Sequence, residues 1–239
     1  MIKHDLFPTL IGEFKYSDHM SFKETFFKNF HMHSNEQGQS NELTGHTDIH
    51  QDPELNPFYV WAGQCAKEYL NELKVDMTKH QLYLVKSWMM ITRTWHVPLH
   101  AHADAHLSFS YYVNIPEDIK ADRICFLSHR QNELYWNVFN QTSTEWNKYN
   151  ATNWSFDPTE GTMFMFPSKQ HHFTQSPDDL NPGNHSDWRS TEKRSVDSHS
   201  LDTIRDKRIC LAGDMILTYK NLEAKSYGLM PISNWIGFD

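Results

Sequence analysis

His100-Ala101-His102-Ala103-Asp104-Ala105-His106 places four metal-capable side chains on alternate residues. In an extended strand, residues i, i+2 and i+4 point to one face. The run therefore aims up to three imidazoles and one carboxylate at a single point, with small alanines on the other face. A helix would scatter the same residues, because helical neighbours stand at i+3 and i+4. The spacing predicts a metal held on a β-strand. The plain alternative is a solvated histidine-rich loop in a chain that holds 16 histidines. Imidazole suits iron and zinc, and an added carboxylate with open positions suits non-haem Fe(II).

Strands surround this run. Residues 81–94 are long, apolar and β-prone, and Leu107–Asn114 (LSFSYYVN) alternates until Ile115-Pro116. Shorter strands are expected at 99–104, 123–129, 133–139, 161–166 and 171–174, and a last one at 208–217. Residues 1–15 read as a strand entering the fold. Helices are expected first, at 21–31 and at 56–74, where Phe58, Trp61, Ala62, Cys65, Ala66, Tyr69, Leu70 and Leu73 repeat with helical spacing. Residues 32–54 read as a polar loop, and 177–207 as a polar stretch without periodicity, long enough to serve a function or to be disordered. Helices followed by about eight short strands suggest a jelly roll or other double-sheet barrel with helical support. The expectation is a mainly β (α+β) fold. It is a single domain over 1–239, with N-terminal helical and loop support at 1–76 and a jelly-roll core at 77–239.

Composition bounds the function. The 239 residues suffice for a substantial core. Aromatic residues reach 14%, which favours strands over helices. The net charge of −8 argues against binding duplex nucleic acid, which needs clustered positive charge. Cys65, Cys125 and Cys210 form no CxxC pair, and an odd count suggests no disulfide framework. They read as reduced thiols of a cytoplasmic protein. The N-terminal sequence lacks the apolar core of a signal peptide, and no run is long enough to span a membrane. Sequons at Asn140, Asn150, Asn153 and Asn184 carry no weight without an export signal.

A late ligand is needed to close a facial site. The strand from Gly161 ends at Pro167, the chain turns, and His171-His172 opens the next segment. The alternative is a surface histidine pair. Arg208 leads the last strand, where a buried cation is costly without a partner. It can pair with Asp206 or Asp214, or it can grip a carboxylate bidentately.

Taken in order, the chain shows FPT at Phe7–Thr9, H-x-H followed by L-S-x-x-Y-Y across His100–Tyr112, G-x-x-x-x-F-P-S-x-x-x-H across Gly161–His172, and R-I-x-L at Arg208–Leu211. This order resembles a bacterial and phage-borne family of Fe(II)/2-oxoglutarate-dependent oxygenases in the double-stranded β-helix superfamily. The motif order spans nearly the whole chain, and dense similarity covers about a quarter of it.

The resemblance implies Fe(II) as cofactor, 2-oxoglutarate and O2 as cosubstrates, and succinate and CO2 as products. The substrate implied is a small molecule or a side chain that the sequence does not identify. The spacing after Ser168 selects His172 over His171 as the late ligand. The early ligands are His102 and Asp104, or alternatively His100 and His102. Arg208 falls where the superfamily's 2-oxoglutarate arginine leads the final strand, and Cys210 stands where a serine often does. Tyr112 and Ser108 are further cosubstrate contacts implied by the same comparison. Phe109 replaces a glycine usual after that serine, which implies less space near Ser108. Two other functions stay open: a zinc enzyme using His-x-His and a third histidine, and a cupin-like binding protein without catalysis.

Overall fold

A computed structural model describes residues 1–2, 8–30, 47–92, 97–117, 123–128, 142, 144–145, 147–175, 204–221 and 228–237. Two antiparallel sheets carry the fold. The larger has five strands in the order β1-β6-β3-β8-β2: β1 (Gly12–Lys15), β6 (Thr162–Pro167), β3 (Leu107–Asn114), β8 (Arg208–Tyr219) and β2 (His80–Thr92). The smaller has three in the order β5-β4-β7: β5 (Asn153–Phe156), β4 (Arg123–Leu127) and β7 (His172–Gln175). This is a jelly roll, the architecture of the double-stranded β-helix.

Helices α1 (His19–Lys28) and α2 (Asn56–Glu72) lie close to the sequence expectation. Pro57 sits in the first turn of α2, where its missing N–H costs nothing. Phe58, Ala62, Cys65, Ala66, Tyr69 and Leu70 form its buried stripe. The helix ends with Lys74 at φ 58°, and hydrogen bonds from Lys74 N to Asn71 O and from Val75 N to Leu70 O close the last turn. That is a Schellman arrangement with lysine where glycine is usual.

The large sheet is buried on both faces, and its residues sort by parity. Phe109, Tyr111 and Val113 of β3, with Ile209 and Leu211 of β8, pack under the helices against Phe22, Phe26 and Phe58. Phe58 and Tyr111 stand 4.5 Å apart between ring centroids. Tyr112 and Cys210, one residue out of phase, face the small sheet and pack with Ile124, Phe126, Phe164 and Phe166. Burying each such ring stabilises the fold by roughly 1.5–3 kcal/mol, so both layers are held by aromatic burial.

Several expectations need amending. Residues 99–104 are not a strand: His100 makes one isolated bridge with His172, and the chain turns at Ala103-Asp104. The expected loop contains two single 3-10 turns, Ile49–Gln51 and Pro53–Leu55. Strand β5 was not anticipated. The strand expected at 133–139 and nearly all of 177–207 lie outside the described residues. Phe109 does not narrow the space beside Ser108, because it points to the helix side of the sheet. Among the described residues no helix is long and apolar enough to cross a membrane.

Candidate active site

Backbone pairing brings the histidines together. His100 and His172 exchange both hydrogen bonds, His100 N to His172 O at 3.0 Å and His172 N to His100 O at 2.9 Å. In such a pair the two side chains share a face, and these imidazole centroids lie 4.2 Å apart. Two residues on, His102 N donates to Ser168 O at 2.8 Å, which seats its ring 5.3 Å from His100 and 5.2 Å from His172. Nitrogens of His100, His102 and His172 all fall within 4.8 Å of one another.

Each ring is oriented by an oxygen at Nδ1. Pro98 O lies 2.8 Å from Nδ1 of His100, Gln170 O lies 3.0 Å from that of His172, and Asp214 Oδ1 lies 2.6 Å from that of His102. An oxygen acceptor at Nδ1 selects the Nδ1–H tautomer and leaves the Nε2 lone pair for a metal. Burial pushes the pKa of His172 down to about 3, helped by the neighbouring His100, so that ring is neutral at physiological pH. Nε2 of His102 is buried with no hydrogen-bond partner. A buried ring nitrogen in that state leaves a lone pair for a partner, and a divalent cation among the three imidazoles can supply it. The residues present fit iron(II) or zinc.

The carboxylate stands elsewhere than expected. Asp104 is exposed on the turn and lies outside the histidine group. His106 is exposed too, its Nδ1 accepting from Leu217 N at 2.9 Å, and so is His171. The buried carboxylate is that of Asp214, at the centre of β8. It accepts from His102 and, at 2.5 Å, from the hydroxyl of Ser108, whose oxygen lies 2.8 Å from that of Ser168. Lys86 Nζ lies 3.2 Å from its second oxygen. Burial raises the pKa of Asp214, but the bonds from His102 and Ser108 and the charge of Lys86 outweigh it, so the group stays ionised. The sequence allows Asp214 as a partner of Arg208; in the structure its carboxylate bonds to His102. An acid inside the apolar run Arg208–Leu217, on the same parity as Arg208, was the available signal.

Arg208 is buried at the start of β8 on the face turned to the small sheet. Its guanidinium lies over the Tyr112 ring, 5.1 Å from the centroid. Burial raises the Tyr112 phenol, so it stays protonated. Aromatic rings line the way from Arg208 to the histidines: Tyr112 and Phe164 at 6.1 Å, Phe164 and Phe156 at 5.2 Å, Phe126 and Phe166 at 5.0 Å, and Phe166 and His172 at 4.7 Å. Ser108 lies at the His102 end of this layer, bonded to Asp214.

Residues 86–180 match the profile of the family described as "Putative 2OG-Fe(II) oxygenase". The matched segment holds all three clustered histidines, Ser108 and Tyr112, and stops short of Arg208 and Asp214. AviO1 from Streptomyces viridochromogenes Tue57 superposes with TM-score 0.50 at 6% identity, over 87% of this chain and 90% of that one. A prolyl-4-hydroxylase from Pseudomonas putida gives 0.48 at 8% identity, over 87% and 92%. A 2OG-Fe(II) oxygenase family oxidoreductase from Burkholderia pseudomallei gives 0.36 at 9% identity over 71% of this chain, which spans 55% of that one. Comparison with curated protein sequences finds no match. The segment 86–180 thus resembles a 2OG-Fe(II) oxygenase domain.

Proposed function

We propose that the protein is an iron(II)- and 2-oxoglutarate-dependent oxygenase that hydroxylates a small molecule or a side chain, with His100, His102 and His172 holding iron(II) through Nε2 and Arg208 anchoring 2-oxoglutarate. The observation that carries the reading is the shared orientation of three imidazoles, each tied at Nδ1 to an oxygen, with the nitrogens within 4.8 Å. Bound iron(II), with 2-oxoglutarate and O2, supplies the oxidation that releases succinate and CO2. The chain's own residues do the rest. Pro98, Gln170 and Asp214 keep the donor nitrogens aimed before any metal arrives. The guanidinium of Arg208 matches a carboxylate geometrically and electrostatically, and Tyr112 backs it with a neutral hydroxyl. Phe126, Phe156, Phe164 and Phe166 keep water out, which strengthens every charge interaction inside.

The net charge of −8 supports a substrate other than duplex nucleic acid. Three buried cysteine thiols suit a cytoplasmic enzyme, which would be the bacterial host's cytoplasm for a phage-borne protein. Three histidines without a carboxylate ligand also suit zinc hydroxide chemistry, and that second reading gives the test its other arm. Anaerobic titration of the Fe(II)-loaded protein with 2-oxoglutarate should produce a saturable visible charge-transfer band. Tight zinc binding with no such band would move the assignment to a zinc enzyme.

A further inference from the structure

Two of the three imidazoles lean on neutral backbone carbonyls, those of Pro98 and Gln170. His102 alone leans on an ionised side chain, and that side chain lies outside the segment matched to the family. We propose that Asp214 is a positioning residue of the metal centre: its carboxylate fixes His102 with Nε2 toward the metal and places the site's negative charge one layer behind an all-imidazole donor set, with Lys86 as counter-charge. The inference rests on the three histidines holding the metal.

The geometry supports each part. Asp214 is fully buried and sits opposite Ser108 in the β3–β8 register, so the Ser108 hydroxyl and the His102 Nδ1–H converge on the same oxygen, Oδ1. The remaining oxygen faces Lys86, whose side chain is 22% exposed and lies over the Trp88 ring at 5.2 Å. Trp88 in turn lies 5.3 Å from the His102 ring. The ring of His102 is thus held at its Nδ1 edge by a carboxylate and on one side by an indole, while Nε2 is left without a hydrogen-bond partner. A carboxylate acceptor makes an imidazole a more basic ligand than a carbonyl does. Three imidazole ligands carry no charge of their own to offset a dipositive metal, and the Asp214 carboxylate offsets part of it at one imidazole's distance. Lys86 tempers the effect, so the two charges should act in opposite senses on metal affinity.

The experiment uses Co(II) as probe with the full chain, in wild type, Asp214→Asn and Lys86→Met. The wild-type Co(II) complex should show three exchangeable, hyperfine-shifted proton resonances, one for each Nδ1–H. Asp214→Asn should weaken Co(II) binding by about 10–100-fold and move or abolish one of the three resonances. Lys86→Met should strengthen binding several-fold with all three resonances kept. A merely structural contact would weaken binding in both variants alike, and that result overturns the proposal. So does Asp214→Asn with wild-type affinity and an unaltered spectrum. Where Asp214→Asn fails to fold, Lys86→Met decides alone: unchanged or weaker binding overturns the role of the charge. A wild-type protein that binds no Co(II), or binds it without the three resonances, overturns the histidine site itself, which separates that failure from a failure of Asp214.

Discussion

Phe109 on β3 lies across from Gly213 on β8, and a Cβ on residue 213 would stand 2.5 Å from two atoms of the Phe109 ring. The glycine is there to make room for the ring, at the position just before Asp214. Gly213→Ala should destabilise the fold by about 1–3 kcal/mol through overpacking, read as a lower urea midpoint. Adding Phe109→Leu should recover part of that loss. An unchanged midpoint in Gly213→Ala would show that the ring has somewhere to go.

The histidine cluster and the exposed turn give opposite expectations for two of the residues read as iron ligands. His172→Ala removes one of three donors from a closed group, and iron binding and turnover should be lost. Asp104→Ala removes an exposed side chain outside that group, and iron affinity should stay within a factor of a few. Anaerobic Fe(II) titration of both variants checks the pair. Iron lost with Asp104 would return the ligand set to His102, Asp104 and His172.

Arg208 should serve the cosubstrate and not the metal. Hydrogen bonds to a charged group contribute about 1.5–3 kcal/mol, so Arg208→Ala should raise the 2-oxoglutarate concentration for half-saturation by roughly 10–100-fold while iron still binds. Calorimetry with 2-oxoglutarate on the Fe(II)-loaded variant measures it. Unchanged affinity would remove Arg208 from the site.

Glu160 ties α1 to the sheet, with Lys23 Nζ 2.9 Å from each of its oxygens and Ile115 N at 2.6 Å. Burial raises its pKa, yet the bonds from Lys23 and Ile115 outweigh it and hold the carboxyl below its ordinary value. A depressed pKa contributes stability that is present above the unfolded value of about 4.3 and is lost as pH falls through the lower folded value. Glu160→Gln should therefore unfold more easily at neutral pH, by about 1–3 kcal/mol, and the gap to wild type should close in acid. Denaturant midpoints at several pH values test this; a gap independent of pH would assign the effect to packing.

Lys74 holds a left-handed backbone conformation at the end of α2. Lys74→Gly removes that strain and should stabilise the fold by roughly 0.5–1 kcal/mol. Thermal unfolding in the two proteins decides it, and a lower Tm in the variant would show that the lysine side chain contributes more than the backbone costs.

Periodicity made much of this architecture readable. In α2 the apolar stripe recurs at helical spacing because one face alone meets the sheet, and in β3 the alternation of Tyr111 and Tyr112 divides cleanly between two cores. The His100–His106 run supplies two of the three clustered histidines, though not by strict alternation. His100 is extended against His172, as the pattern required, but the alanines between carry little β preference and Asp104 favours a turn. The strict alternation therefore ends before the carboxylate. Asp214 was hidden for a different reason: its importance comes from His102, 112 residues away in the chain. Strand β5 was too short and polar, with Trp154 exposed, to give a strand signal.

Strand β8 turns Ile209 and Leu211 toward the helices and Arg208, Cys210 and Asp214 toward the other sheet. An inserted or deleted residue within it would swap these sides at once, sending the charges into the helix core and the leucine into the chemistry. The protein can therefore change length in evolution before Arg208 or after Tyr219, but the twelve residues from Arg208 to Tyr219 form a ruler whose spacing cannot drift.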